Sequence, residues 1–180
     1  MRVISGSARG RKLLCAEGQD VRPTLDRVKE SVFNMIAFDL HDACVLDLFS
    51  GSGSLGIEAL SRGAAHCTFV DNKEISVAIT KKNIENTHFQ NLSSVFLSDS
   101  IDFINKTDKL FDIIFIDPPY ESDLYFMALD KIRQKGLLTE NGLIVLEHDI
   151  ELTPHFNTDG FEIVKDKKYG RVKILIMKEW

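Results

Sequence analysis

An α/β fold, with a mostly parallel sheet covered by helices on both faces, is what the order of segments in this chain predicts, and three observations carry it. From Val45 onward, apolar runs of strand length alternate with amphipathic stretches of helix length, the pattern that buries parallel strands between two helical layers. The first run leads through Ser50-Gly51-Ser52-Gly53-Ser54-Leu55-Gly56 into a helix, placing glycines where a strand turns sharply. A later run, Ile113 to Ile116, ends at Asp117-Pro118-Pro119-Tyr120, because two successive prolines donate no amide hydrogen to a ladder. That stiff turn leaves a carboxylate, a carbonyl and an aromatic ring at the carboxyl end of a buried strand, where open α/β sheets place their ligands.

The elements follow in order. Arg2 to Leu14 mixes apolar positions, Gly6, Gly10 and a basic cluster, as a hairpin or extended arm does. Arg22-Pro23-Thr24 opens a helix running to about Phe38, with Thr24 as its N-cap and Val28, Val32, Phe33, Met35 and Ile36 as its apolar face. Strands are expected at 45–49, 67–71, 94–98, 112–117 and 142–148, and helices at 54–63, 73–88, 100–105 and 122–135. Phe161 to Lys168 and Arg171 to Lys178 flank Tyr169-Gly170, a hairpin that puts antiparallel strands at one sheet edge.

Composition sets outer bounds. With 180 residues and 44% hydrophobic content the chain suffices for one compact domain, read as an arm and helix at 1–40 packed on a core at 41–180. No apolar stretch approaches the roughly 20 residues that span a bilayer, so a cytoplasmic protein without membrane attachment is expected. Cys15, Cys44 and Cys67 lack paired spacing, and His41, His66, His88, His148 and His155 are scattered, so no metal site is expected. Net charge is -5, but residues 1–30 hold seven Lys or Arg against four acids, and residues 165–178 hold six against one. If these two basic ends meet in space they form one cationic face suited to phosphate.

The glycine loop, taken literally, satisfies the dinucleotide pattern G-x-G-x-x-G, and Asp71 stands 20 residues beyond Gly51, placed to accept from ribose hydroxyls. Two acids favour S-adenosylmethionine over a pyrophosphate. Asp47 sits inside an apolar strand, where an unpaired carboxylate costs several kcal/mol and calls for backbone amides or a cationic amino group. Asp99, before Ser100, can accept from an adenine amino group or simply cap a helix. In the proline turn, Asp117 and the Pro118 carbonyl can each accept one N–H from an exocyclic amine, while Tyr120 stacks on its base. That geometry alone fits guanine N2, adenine N6 or cytosine N4. Pyrimidine C5 chemistry lacks its cysteine, since none lies near a proline turn.

Asp-Leu-Phe-Ser-Gly-Ser-Gly at 47–53, Phe-Val-Asp at 69–71 and Asp-Pro-Pro-Tyr at 117–120 resemble the class I S-adenosylmethionine-dependent methyltransferases of exocyclic amino nitrogens. The stretches 2–13 (Arg-Val-Ile-Ser-Gly-Ser-Ala-Arg-Gly-Arg-Lys-Leu), 22–30 (Arg-Pro-Thr-Leu-Asp-Arg-Val-Lys-Glu) and 56–64 (Gly-Ile-Glu-Ala-Leu-Ser-Arg-Gly-Ala) resemble, more narrowly, the RsmD family of bacterial 16S ribosomal RNA guanine-N2 methyltransferases. The resemblance implies a Rossmann-like seven-stranded sheet in the order 3-2-1-4-5-7-6, with strand seven antiparallel. It implies S-adenosylmethionine as cofactor, S-adenosylhomocysteine as product, and 16S RNA, the small subunit or an assembly intermediate as partner of a monomeric enzyme. It places Asp47, Phe49, Gly51 and Gly53 around the methionine moiety, Asp71 at the ribose, and Asp99 and Ser100 at the adenine. Arg22, Thr24 and Arg27 fall in the segment between cofactor and RNA, Arg9, Arg11 and Lys12 at phosphates, and Asp117, Pro118 and Tyr120 at the reacting amine. Lys167, Lys168, Arg171 and Lys173 are expected to help hold the RNA. Ser50 stands where many family members have alanine, a change too small to alter the loop.

Overall fold

The computed structural model describes residues 1–15, 23–118, 124–151, 158 and 160–180, without side-chain detail at 23–25. The elements are α1 (Pro23–Met35), β1 (Cys44–Asp47), α2 (Ser54–Ser61), β2 (His66–Asp71), α3 (Glu74–Thr87), β3 (Ser93–Leu97), α4 (Ser100–Lys106), β4 (Phe111–Ile116), α5 (Leu124–Lys135), β5 (Leu138–Asp149), β6 (Phe161–Tyr169) and β7 (Val172–Glu179). They form one seven-stranded sheet in the order β3-β2-β1-β4-β5-β7-β6, as the family resemblance implies. The first five strands in that row pair in parallel, and β7 runs antiparallel to both β5 and β6.

Alternation along the strands sorts side chains into two cores. Val45, Ile113, Phe115, Leu143, Val145 and Ile174 point to one face, where α1, α2, α3 and the arm cover them. Leu46, Ile114, Ile116, Ile144, Leu146 and Leu175 point to the other, against α4 and α5. Each fully buried Val, Leu, Ile or Phe contributes about 1.5–3 kcal/mol of transfer free energy, so the strand register is fixed from both sides.

Two local expectations are corrected. Thr24 is not the cap of the first helix: Pro23 occupies the first helical position, where its fixed φ and missing N–H cost nothing, which puts Thr24 inside the helix. That helix ends at Met35, and Phe38 lies wholly exposed beyond it. Strand β5 begins at Leu138 rather than 142, because the register with β4 jumps from Phe111↔Leu138 to Ile113↔Leu143. Glu140-Asn141-Gly142, which reads as a turn, is thus an irregularity carried within the strand.

The arm is held by one bridge between Arg2 and Lys12 and by contacts with α2 and α3. Glu58, fully buried in α2, accepts from the amides of Ile4 at 2.8 Å and Ser5 at 3.0 Å. It also pairs with Lys29 at 3.3 Å and Arg62 at 2.8 Å, so its charge is compensated from three directions. Burial lowers the Lys29 pKa, and Glu58 opposes that shift. Lys29 in turn donates to the carbonyl of Arg2 at 2.7 Å and to Ser54 Oγ at 3.2 Å, joining arm, α1 and the start of α2.

Candidate active site

The carboxyl ends of β1, β2 and β3 carry one half of the site. Gly51 (φ 54°) and Gly53 (φ 76°) adopt the left-handed conformation that turns β1 into α2. Asp71 locks this loop from the next strand: its Oδ2 accepts from the Gly51 amide at 2.8 Å and its Oδ1 from the Lys73 amide at 2.9 Å. A carboxylate offers about four lone-pair sites, so each oxygen retains acceptor capacity for a ribose hydroxyl. From α3, Thr80 donates to the Gly51 carbonyl at 2.9 Å, and Asn83 donates to the Ser52 carbonyl at 2.8 Å and the Leu14 carbonyl at 2.9 Å. The loop is rigid on its protein side, while a Cβ placed on Gly51 would meet nothing within 4 Å.

Asp47 lies beneath that loop, 2% exposed, with Oδ2 accepting from the Gly56 amide at 3.0 Å. Burial raises its pKa to about 7; the Gly56 hydrogen bond works against the shift and the nearby Asp71 charge adds to it. A buried carboxyl in this state suits a cationic amino group and repels a pyrophosphate. The Asp47 setting therefore fits the aminoacyl end of S-adenosylmethionine. Asp99 caps α4, its Oδ1 accepting from the amides of Ile101 at 2.9 Å and Asp102 at 3.1 Å. Ser100 is buried and donates to the Leu48 carbonyl at 3.0 Å, and Phe49 packs beside the α4–α5 core.

The other half lies at the ends of β4 and β5. Asp47 registers with Phe115 across the β1–β4 pair, and Ile116 registers with Leu146 across β4–β5. Asp117 is therefore the next residue beyond paired β4, with Pro118 buried behind it. The Asp117 pKa is pushed well above the usual carboxylate range, first by burial of its carboxyl, then by the charges of Glu147 and Asp47. The Tyr125 hydroxyl of α5 is pushed well above its ordinary pKa, first by burial and then by the charges of Asp117, Glu147 and Asp149. Pro119 and Tyr120 lie outside the described residues, as does Arg22, and the Thr24 side chain is likewise not described.

Both basic ends dock on α1. Arg2 of the arm pairs with Asp26 at 3.2 Å, Tyr169 hydrogen-bonds Ser31, and Lys165 donates to the Met35 carbonyl at 2.9 Å. Arg9, Arg11, Lys12 and Arg27 are exposed. A pocket of about 210 Å³ is lined by Arg2, Val3, Ile4, Arg9, Gly10 and Glu30. Two of the expected helpers are already engaged: Arg171 reaches Asp149 and Glu151, and Lys173 pairs with Asp166 at 2.9 Å. Sequence reasoning missed Lys29, Glu58 and Asn83, because each looks like an ordinary surface residue of an amphipathic helix.

The family model described as Conserved hypothetical protein 95 matches residues 1–178. The chain is 39% identical to YlbH of Bacillus subtilis over 182 residues, 99% of each protein. It is 35% identical to the Ribosomal RNA small subunit methyltransferase D of Haemophilus influenzae over 175 residues, 96% of this chain and 90% of that one. A solved structure of Escherichia coli yhhF superposes with a TM-score of 0.89 at 30% identity, covering 99% of this chain and 97% of the other.

Proposed function

The chain belongs to the RsmD family, and on that premise we propose that it transfers a methyl group from S-adenosylmethionine to the exocyclic N2 of a guanine in small-subunit ribosomal RNA. The observation that carries this reading is the placement of Asp117 and Pro118 just past β4, one strand away from Asp47 and the glycine loop. On this reading donor and acceptor sites share the carboxyl end of the sheet, at the switch point between β1 and β4, where the chain order reverses.

When bound, S-adenosylmethionine supplies an electrophilic methyl on a sulfonium and leaves as S-adenosylhomocysteine. The protein's own residues do the positioning. Asp47 holds the amino group, Asp71 the ribose, and the Asp99-Ser100 corner borders the adenine. An aryl amine is a poor nucleophile, because its lone pair is delocalised into the ring. Asp117 and the Pro118 carbonyl each accept one of its N–H bonds, which favours pyramidal geometry at nitrogen and aims its lone pair at the methyl group; the N–C bond forms as the S–C bond breaks, and the methylated nitrogen then loses one proton to solvent or an adjacent acceptor. Tyr120 stacks on the base, offsetting about 1–3 kcal/mol of the cost of unstacking it from RNA. Arg9, Arg11, Lys12 and Arg27 hold phosphates on the α1 side, an interaction that weakens as salt rises.

The test is mass spectrometry of 16S RNA from a strain lacking this gene, followed by incubation of its small subunits with the purified protein and S-adenosylmethionine. One N2-methylguanosine is lost in the strain and restored in vitro. An unchanged N2-methylguanosine level overturns the substrate, and a new N6-methyladenosine formed in vitro reassigns the base.

A further inference from the structure

Two acceptors in the proline turn recognise an amine but not the ring that bears it. Guanine places the N1–H donor beside its N2 amine, whereas adenine and cytosine place a bare ring nitrogen beside theirs. Selecting guanine takes a third acceptor next to Asp117 that accepts a hydrogen bond from N1–H and opposes a lone pair.

Glu147 stands beside Asp117. It belongs to β5, and its neighbours Val145 and, across the antiparallel pair, Ile174 lie in the core under α1. The odd-numbered residues of β4, Ile113 and Phe115, point to that same face, and Asp117 continues their row one step past the strand. Since Ile116 registers with Leu146, Asp117 and Glu147 are lateral neighbours on adjacent parallel strands. The electrostatic influence of Glu147 on both Asp117 and Tyr125 agrees with this proximity. Glu147 is half-buried and one methylene longer than Asp117, so its carboxylate has the longer reach of the two. Asp47, another acid on this face, lies two strands away on β1 and accepts from Gly56.

We infer that Glu147 is the specificity-determining residue of the acceptor pocket, accepting from N1–H of the target guanine while Asp117 and Pro118 hold its N2 amine. The inference rests on the proposed methyl transfer to an exocyclic amine. It adds a reason for guanine that the proline turn does not contain.

The experiment uses full-length protein and small subunits lacking the mark, reconstituted around 16S RNA with either guanosine or 2-aminopurine at the mapped nucleotide. 2-Aminopurine keeps the amine and lacks N1–H. The wild type is expected to methylate guanosine at least about 100-fold faster than 2-aminopurine, since a site built to hydrogen-bond a group rejects the analogue without it. In Glu147→Gln the amide can donate to a bare N1, so the gap closes to within about tenfold while S-adenosylhomocysteine affinity by calorimetry stays within about twofold. Equal wild-type rates on the two subunits overturn the inference, even should the variant fail to fold. A wild-type gap that persists in Glu147→Gln also overturns it, by assigning discrimination to O6 or to shape. Wild-type transfer to adenine N6 with none to guanine overturns the underlying reading, and the inference with it.

Discussion

The carboxyl ends of β1, β2 and β3 and those of β4 and β5 form two halves of one site, and their acids are treated differently. On the cofactor side each acid also has a backbone partner: Asp47 accepts from Gly56, Asp71 from Gly51 and Lys73, and Asp99 from Ile101 and Asp102. Those amides belong to the loops and helix starts that would surround a nucleoside, so the carboxylates shape the site they are proposed to serve. On the acceptor side, Asp117 follows the last paired residue of β4 and is crowded by burial, Glu147 and Asp47. One half is preorganised by hydrogen bonds. The other holds unfavourable negative charge that donors of an incoming base, or a neighbouring cation, would relieve.

If that division holds, Asp117→Ala separates the halves most sharply. Removing the acceptor should lower single-turnover methyl transfer by about 10³-fold, because a positioned acceptor acts on the transition state. S-adenosylhomocysteine affinity should stay within about threefold, since among the described residues the amides of the glycine loop are held by Asp71 and Asp47. Loss of cofactor binding in calorimetry would break the comparison. Asp71→Ala is the reciprocal case: it removes a charged acceptor from the loop and from the ribose, so affinity should fall by about 10–100-fold. Its transfer rate at saturating cofactor should remain near that of the wild type.

How far this division could be read beforehand depends on the range over which each residue acts. Strand order, the glycine turn and the acids at strand ends rest on local alternation and short spacings, and these are visible in one dimension. Thr24 was misplaced because two helix-start signals compete within two residues and the proline takes the first position. The onset of β5 lies four residues before the expected 142, because Leu138 pairs with Phe111 ahead of a break in register. Glu58 was invisible for a different reason: its partners Ile4 and Ser5 lie 54 and 53 residues away, and a glutamate in a helix ordinarily faces water. Both basic ends dock on α1, the arm at Asp26 and β6 at Ser31 and Met35, while Arg171 and Lys173 are drawn into pairs with acids of their own region.

A pH series tests which half senses protons. The Asp47 pKa of about 7 lies above its ordinary value of 3.8, so the folded protein retains a proton that the unfolded chain has already lost between those values. Stability of the free protein should therefore fall as pH rises toward 7 and level off above it. Cofactor affinity should move oppositely: an ammonium group favours ionised Asp47, so binding below pH 7 expels a proton and weakens by up to about tenfold per unit of falling pH. Calorimetry with S-adenosylhomocysteine from pH 5 to 8 reads both the slope and the proton release. Asp47→Asn should flatten most of the slope, and an unchanged slope would move the proton switch to Asp117.

The smallest effect tests whether a cofactor-side acid has one role or two. Asp99→Ala removes an N-cap that holds two amides of α4, a change worth about 1 kcal/mol of stability. If capping is its whole role, the variant melts earlier but binds S-adenosylhomocysteine with wild-type affinity once folded. If the carboxylate also accepts from the adenine amino group, affinity falls as well, and a ligand lacking that amino group closes the difference between variant and wild type. Asp99→Ser separates the two, because a serine hydroxyl keeps the cap but is a weaker and shorter acceptor. Restored melting with lost affinity would show that hydrogen bonding to the protein and to the ligand can be removed independently at this corner. That is the property that distinguishes the preorganised half from the crowded one.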